Sequence, residues 1–331
     1  MRRGFWIAFQ LTLLAAVGWG VYRALAPELR RLTWAELVAW RPALPLIGLS
    51  LLLLLGVYLM HAFLWRRITT DLGLGRLAAR DTVRVYFVAS LGRYLPGKLW
   101  QLAGLAVLSA RAGLPAGGAA AAAVLGQVGF LGTGLLFLAV LVPGWTGGVR
   151  GLAAGIALAA VAVAGWIVFI APRGRRARSW LVARAPSRIS ERLDAAFAQA
   201  ARIRPVHAFG WIAGYGASWV LLGLAFTAFV AAFVPTTADA ARELGGTVAA
   251  SYLVGYMIVI APAGLGAREV AMSGLLAQVP DMPAAGAVVL PILSRLWFTA
   301  GEVLPFLLLP LLPAGRARDA GMRNDETVEV E

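Results

Sequence analysis

Runs of apolar residues long enough to cross a membrane recur along this chain, and no other feature limits its fold so strongly. About 20 residues of helix span the hydrocarbon core of a bilayer. Six runs reach that length: residues 5–25, 44–65, 117–141, 150–171, 207–233 and 286–312. Inside hydrocarbon every backbone N–H and C=O must be paired within its own segment, so runs of this kind fold as helices. Of the 331 residues, 60% are hydrophobic and only 14% are charged. A soluble domain carries roughly 25% charged residues, so too little polar surface is present to face water. No long polar stretch is present to house a soluble catalytic domain. The expectation is an all-α polytopic membrane protein with one transmembrane domain over residues 1–313.

Two further apolar segments, 83–110 and 247–279, are interrupted. Pro96-Gly97 breaks the first, and Pro262-Ala263-Gly264-Leu265-Gly266 breaks the second. Each piece is shorter than the ~20 residues a span needs. A Pro-Gly break frees backbone groups that lipid cannot satisfy, so the tips must be buried in protein. Both segments are therefore read as re-entrant helical hairpins, with kinked or paired spans as the alternative.

The net charge is +14. The positives collect between the apolar runs, so they report topology through the positive-inside rule rather than nucleic-acid binding. Segments 66–84 and 172–206 are rich in arginine, whereas 26–43, 142–149 and 234–246 are short or charge-poor. Cytoplasmic N- and C-termini, six spans and two hairpins put every basic loop, including 172–206, inside. Each half then reads span, span, hairpin, span, over about 1–141 and 150–313, in opposite orientations. Such an inverted repeat places a site at the midplane where the halves meet, and secondary transporters use it widely. Arg2-Arg3, the apolar run and Ala24-Leu25-Ala26 also resemble a signal peptide, although the run is longer than a usual signal core. Residues 33–40 and 187–204 carry amphipathic patterns suited to an interface or to a solvated loop helix. The acidic tail 314–331 is expected to be disordered and cytoplasmic.

Ionisable groups at membrane depth cost at least ~2.5–3.5 kcal/mol on insertion scales, so each is a functional candidate. Arg93 and Lys98 flank the first break, Arg268 and Glu269 follow the second, and Arg295 and Glu302 lie in the last span. Arg295 and Glu302 share a helical face and are expected to pair, leaving Glu269 for another cation. Two positive charges are then left over, which calls for an anionic ligand. New half-helices should begin near Lys98 and Arg268, and their N–H-rich, dipole-positive ends suit phosphate. Pro96, Gly97, Gly264 and Gly266 shape the tips and allow close approach. Tyr94, Trp100 and Gln101 at the first tip, and Gln127 in the third full span, are polar or aromatic candidates for a headgroup or for packing. His61 and His207 sit near span ends without carboxylate neighbours in sequence and are not read as metal ligands. No metal or other cofactor is expected. The chain lacks cysteine, which excludes disulfides and thiol chemistry. It contains no H-E-x-x-H, P-loop or G-x-S-x-G motif, and no paired loop aspartates to hold Mg²⁺.

Gly92-Arg93-Tyr94-Leu95-Pro96-Gly97-Lys98-Leu99-Trp100-Gln101 and Pro262-Ala263-Gly264-Leu265-Gly266-Ala267-Arg268-Glu269 resemble the two signature stretches of the lysylphosphatidylglycerol synthase transmembrane-region family. That family includes the flippase domain of the multiple peptide resistance factor. The resemblance implies a flippase-like transporter, in a bacterial cytoplasmic membrane, for an anionic phospholipid or a polyprenyl-phosphate-linked lipid. Many members carry an acidic residue at the position of Gln101 and a small one at that of Trp100, and a Glu-Arg pair and an Asp near Gly126, Gln127 and Phe130. Those departures imply a less charged pocket. No aminoacyl-transferring domain accompanies these stretches, so an enzyme is not expected. The alternatives are a membrane-embedded transferase acting on lipid-linked sugars, and a non-transporting partner of a lipid-modifying enzyme or glycosyltransferase. Gly129, Gly132 and Gly134 read as close packing within one chain, with no decisive face for self-association.

Overall fold

The computed structural model describes residues 41–94, 99–146, 150, 153–157, 160–161, 179, 204–257, 264 and 266–308. The first expected span, most of the fourth, the loop 172–206 except for isolated positions, and the tail 314–331 lie outside these residues. The described residues form helices α1 (Leu44–Asp71), α2 (Ala79–Ser90), α3 (Leu99–Arg111), α4 (Ala116–Thr146), α5 (Pro205–Ala231), α6 (Ala240–Met257), α7 (Ala267–Leu276) and α8 (Ala284–Leu308). A 3₁₀ turn, Leu91–Tyr94, follows α2. Four of the helices are long and apolar enough to cross a membrane: Leu44–Asp71, Ala116–Leu141, Val206–Ala231 and Ala284–Leu307. The chain is a helical membrane protein.

The local sequence explains the boundaries. Proline stands in the first turn of both α1 and α5, where its missing N–H costs no helix hydrogen bond. Gly73 and Gly75 adopt φ of 72° and 113°, a turn that side chains disfavour and that stops α1 from running into α2. Two helix limits differ from expectation. Residues 240–246, read as loop, belong to α6, and residues 142–146 extend α4. Ala240, Ala241, Arg242, Glu243 and Leu244 are strong helix formers and start α6 ahead of its apolar run, a limit that hydropathy does not mark.

The long helices pack with a definite sense. The Ala43 amide donates to the Ala232 carbonyl at 2.8 Å, and the Trp211 indole donates to Asp71 at 2.8 Å. α1 and α5 therefore run antiparallel along their whole length. Asp71 also meets Arg67 at 3.5 Å and His207 at 3.8 Å. The end of α1 and the start of α5, next to the two arginine-rich segments, thus lie together. Other contacts occur in matched pairs. Trp297 on α8 donates to Ser50 Oγ on α1 at 3.1 Å, and Trp219 on α5 donates to the Phe130 carbonyl of α4 at 2.8 Å. α8 packs on α1 and α2, as α4 packs on α5 and α6.

Between the long helices, α2–α3 and α6–α7 each fold back on themselves. A Cβ built on Gly104 would lie 3.3 Å from Ala89 Cα, and one built on Gly92 would lie 2.8 Å from the backbone of Trp100 and Gln101. The α2 and α3 arms are therefore antiparallel neighbours, and Gly92 is needed where they close. In the second hairpin Gly264, at φ 69°, lies so close to Gly255 that a Cβ would stand 2.6 Å from its carbonyl oxygen. The first hairpin starts and finishes near the arginine-rich end: Leu74 meets Gly118, and Gly75 meets Leu114. The second starts and finishes at the other end, where Arg242 reaches the Val140 carbonyl and Gly286 meets Val234. α2 ends at Ser90 and α6 at Met257, and residues 95–98, 258–263 and 265 lie outside the described residues.

Candidate ligand site

A cavity of about 380 Å³ lies among α1–α8 and draws its lining from both halves of the chain. Its volume falls within the ~300–1,000 Å³ typical of small-molecule sites. α7 and α8 supply its charges. Arg268, in the first turn of α7, is 9% exposed. Its guanidinium carbon sits 3.8 Å from the centre of the Phe298 ring and 5.5 Å from that of Tyr252. These cation–π contacts offset part of the cost of burial. They leave the hydrogen-bonding edge unsatisfied: Arg268 Nε and Nη2 are buried and bond to none of the described residues.

The other charges each have a partner, although Arg295 Nη2 and Glu302 Oε2 are also buried without a hydrogen bond among the described residues. Glu269 accepts from Arg295 Nε at 2.5 Å and from the Gly266 amide at 2.6 Å. Tyr58 donates to Glu302 at 3.0 Å. Arg295 therefore pairs with Glu269 on the facing helix, not with Glu302 on its own, because the α7–α8 contact brings Glu269 closer than a residue two turns along α8. A second correction concerns the start of α7. The Glu269 carboxylate caps the Gly266 amide and already answers the positive helix end. The group left for an incoming anion at this tip is the Arg268 side chain, not the helix terminus.

The remaining wall is aromatic and uncharged. Phe130 of α4 stacks on Trp219 of α5, with ring centres 4.4 Å apart and planes 5° from parallel. Tyr252 stands edge-on to both and also beside Arg268, joining the aromatic wall to the charged one. His61 packs 4.6 Å from Phe130 and shares a 3.0 Å hydrogen bond with Ser218. Gly126 admits the Tyr215 hydroxyl; a Cβ there would stand 2.5 Å from it. Gln127 Nε2 is buried and bonds to none of the described residues.

Of the residues singled out from sequence, Gln101, Gln127, Gly264, Arg268, Arg295 and Glu302 line the cavity. Gly266 and Glu269 lie behind Arg295 and shape the tip without lining it. Trp100 is 54% exposed and is not part of the lining. Pro96, Gly97 and Lys98 lie outside the described residues, and of Arg93 only the backbone, within the 3₁₀ turn, is described. The sequence reading missed Tyr58, His61, Tyr215, Tyr252 and Phe298 as lining residues. The available signal was an ionisable His61 within the apolar run of α1; reading it at a span end rather than inside the helix, which runs to Asp71, hid it. No known protein family and no curated protein matches this chain.

Proposed function

We propose that the protein is a flippase-like transporter that binds the phosphate of an anionic membrane lipid at Arg268 and passes the lipid between leaflets. One observation carries this reading: a buried arginine with two unsatisfied nitrogens in a cavity built by both halves. An unpaired buried cation is costly, and donors buried without acceptors add to that cost. Phosphate oxygens would satisfy the guanidinium through charge-assisted, bidentate hydrogen bonds. The tip motifs add their resemblance to the lysylphosphatidylglycerol synthase transmembrane-region family, and a bacterial cytoplasmic membrane is the corresponding location.

In this reading α2–α3 and α6–α7 are re-entrant hairpins entering from opposite faces, and the undescribed segments complete a six-span inverted repeat. The matched contacts, α8 on α1 and α4 on α5, favour it, as do hairpins that begin and end at opposite ends of the bundle. Irregular backbone is tolerated at membrane depth where it is enclosed by protein or lines a cavity, and the buried Gly264 and Gly266, the first of which lines the cavity, fit that rule. Rocking of one half against the other would then expose Arg268 to each leaflet in turn. Lys98, at the first tip, is the candidate second cation.

The test is translocation of a fluorescent phosphatidylglycerol by the purified full chain in vesicles. Arg268→Gln is expected to reduce the rate at least tenfold while the protein stays folded. Wild-type rates in a folded Arg268→Gln variant would remove the basis of the assignment. Formation of a chemically new lipid by the wild type would favour a transferase instead.

A further inference from the structure

The cavity holds an uncharged side chain with an unsatisfied polar atom, and its surroundings differ from those of Arg268. Gln127 Nε2 is buried without a partner among the described residues. It lies on α4 next to Gly126, against which the Tyr215 hydroxyl is packed. His61 is the neighbouring ring, 5.5 Å from Tyr215, and it also lines the cavity.

On the reading that the cavity takes an anionic lipid, we propose that Gln127, with Tyr215 and His61, forms a subsite that selects a neutral, hydroxyl-bearing headgroup beyond the phosphate. A primary amide presents a donor or an acceptor according to its orientation, and a hydroxyl, being both, satisfies either. A site built to hydrogen-bond a hydroxyl discriminates against analogues lacking it, because the buried amide is then left unpaired. An amine-bearing headgroup fits poorly. Glu269 is held by Arg295 and the Gly266 amide, Glu302 accepts from Tyr58 and keeps only Oε2 without a hydrogen bond among the described residues, and the guanidiniums of Arg268 and Arg295 line the same cavity and repel an ammonium. A trimethylammonium group would require open aromatic faces. Trp219 is fully buried and stacked face to face with Phe130, so those faces are spent on each other.

The experiment is native mass spectrometry of the full chain titrated with five dioleoyl lipids. Phosphatidylethanol carries the phosphodiester charge without a hydroxyl. Phosphatidylglycerol adds a short polyol, and phosphatidylinositol a hydroxylated ring. Lysyl-phosphatidylglycerol adds an amine, and phosphatidylcholine a trimethylammonium group. Phosphatidylglycerol or phosphatidylinositol is expected to bind about five- to tenfold tighter than phosphatidylethanol, as one or two buried hydrogen bonds imply. The tighter of the two distinguishes a short polyol from a sugar-like ring. Gln127→Leu is expected to reduce both to the level of phosphatidylethanol and to leave phosphatidylethanol itself unchanged. Arg268→Gln is expected to weaken all three. Equal binding of phosphatidylethanol and both hydroxylated lipids by the wild type would overturn the subsite, as would tighter binding of the lysyl or choline lipid. Neither result depends on a variant folding, and neither touches the role of Arg268. Indifference of all anionic lipids to Arg268→Gln would instead overturn the underlying transport reading.

Discussion

α4 packs on α5 and α8 packs on α1, yet the two helices present opposite chemistry to the cavity. α8 brings Arg295 and Glu302 and seats Arg268 on Phe298. α4 brings Gln127 and Phe130, with Gly126 and Gly129 opening space for Tyr215 and Gly134 opening space for Trp219. Two similar helix packings thus carry different walls. The shared helix order sets where the cavity forms, and a few side chains decide which wall holds charge and which stacks rings.

The sharpest way to break the charged wall is Glu269→Ala. It strips Arg295 and the Gly266 amide of their acceptor together. Breaking a buried pair by removing one partner costs about 3–5 kcal/mol, so thermal unfolding in detergent is expected at a markedly lower temperature. An unchanged midpoint would mean that the pair is solvated and does not organise the α7–α8 wall. Gly264→Ala attacks the tip rather than the charge. Its φ of 69° and the Gly255 carbonyl, 2.6 Å from a built Cβ, both oppose a side chain. A loss of about 2 kcal/mol is expected from left-handed strain plus displacement of the backbone, and full stability would show that the two arms are not in contact there. The smallest effect belongs to the uncharged wall. Ser218→Ala removes the hydroxyl that meets His61 and is expected to cost about 1 kcal/mol, measured by the same unfolding assay. A loss as large as that from Glu269→Ala would erase the contrast between the walls.

Much of this frame was legible in the sequence, for a physical reason. Membrane-crossing helices need unbroken apolar runs, and the chain cannot hide them: α1, α4, α5 and α8 fall where the runs at 44–65, 117–141, 207–233 and 286–312 put them. The breaks were equally visible, because Pro-Gly pairs and closely spaced glycines leave little choice of backbone. Arg268 stood out because a cation is rare at that depth. The partner of Arg295 was not legible. Spacing along α8 proposes Glu302, and only the packing of α7 against α8 makes Glu269 the nearer carboxylate. The aromatic wall was hidden for a similar reason. Phe130 and Tyr252, which line the cavity, and Trp219, which backs Phe130, come from three helices, and in an apolar run such aromatic residues look the same as ones that face lipid.

The central claim is that Arg268 is kept unpaired for an anionic ligand, and Arg268→Met tests it most directly. Unfolding temperatures of the wild type and the variant would be measured with and without phosphatidylglycerol. Removing a buried, unsatisfied cation is expected to leave the ligand-free protein as stable as before, or more stable by about 1–3 kcal/mol. The rise in stability that the wild type gains with phosphatidylglycerol, set by ligand concentration over its dissociation constant, is expected to vanish. A variant that is less stable without lipid but still gains as much from phosphatidylglycerol as the wild type would contradict the claim and make Arg268 a structural residue.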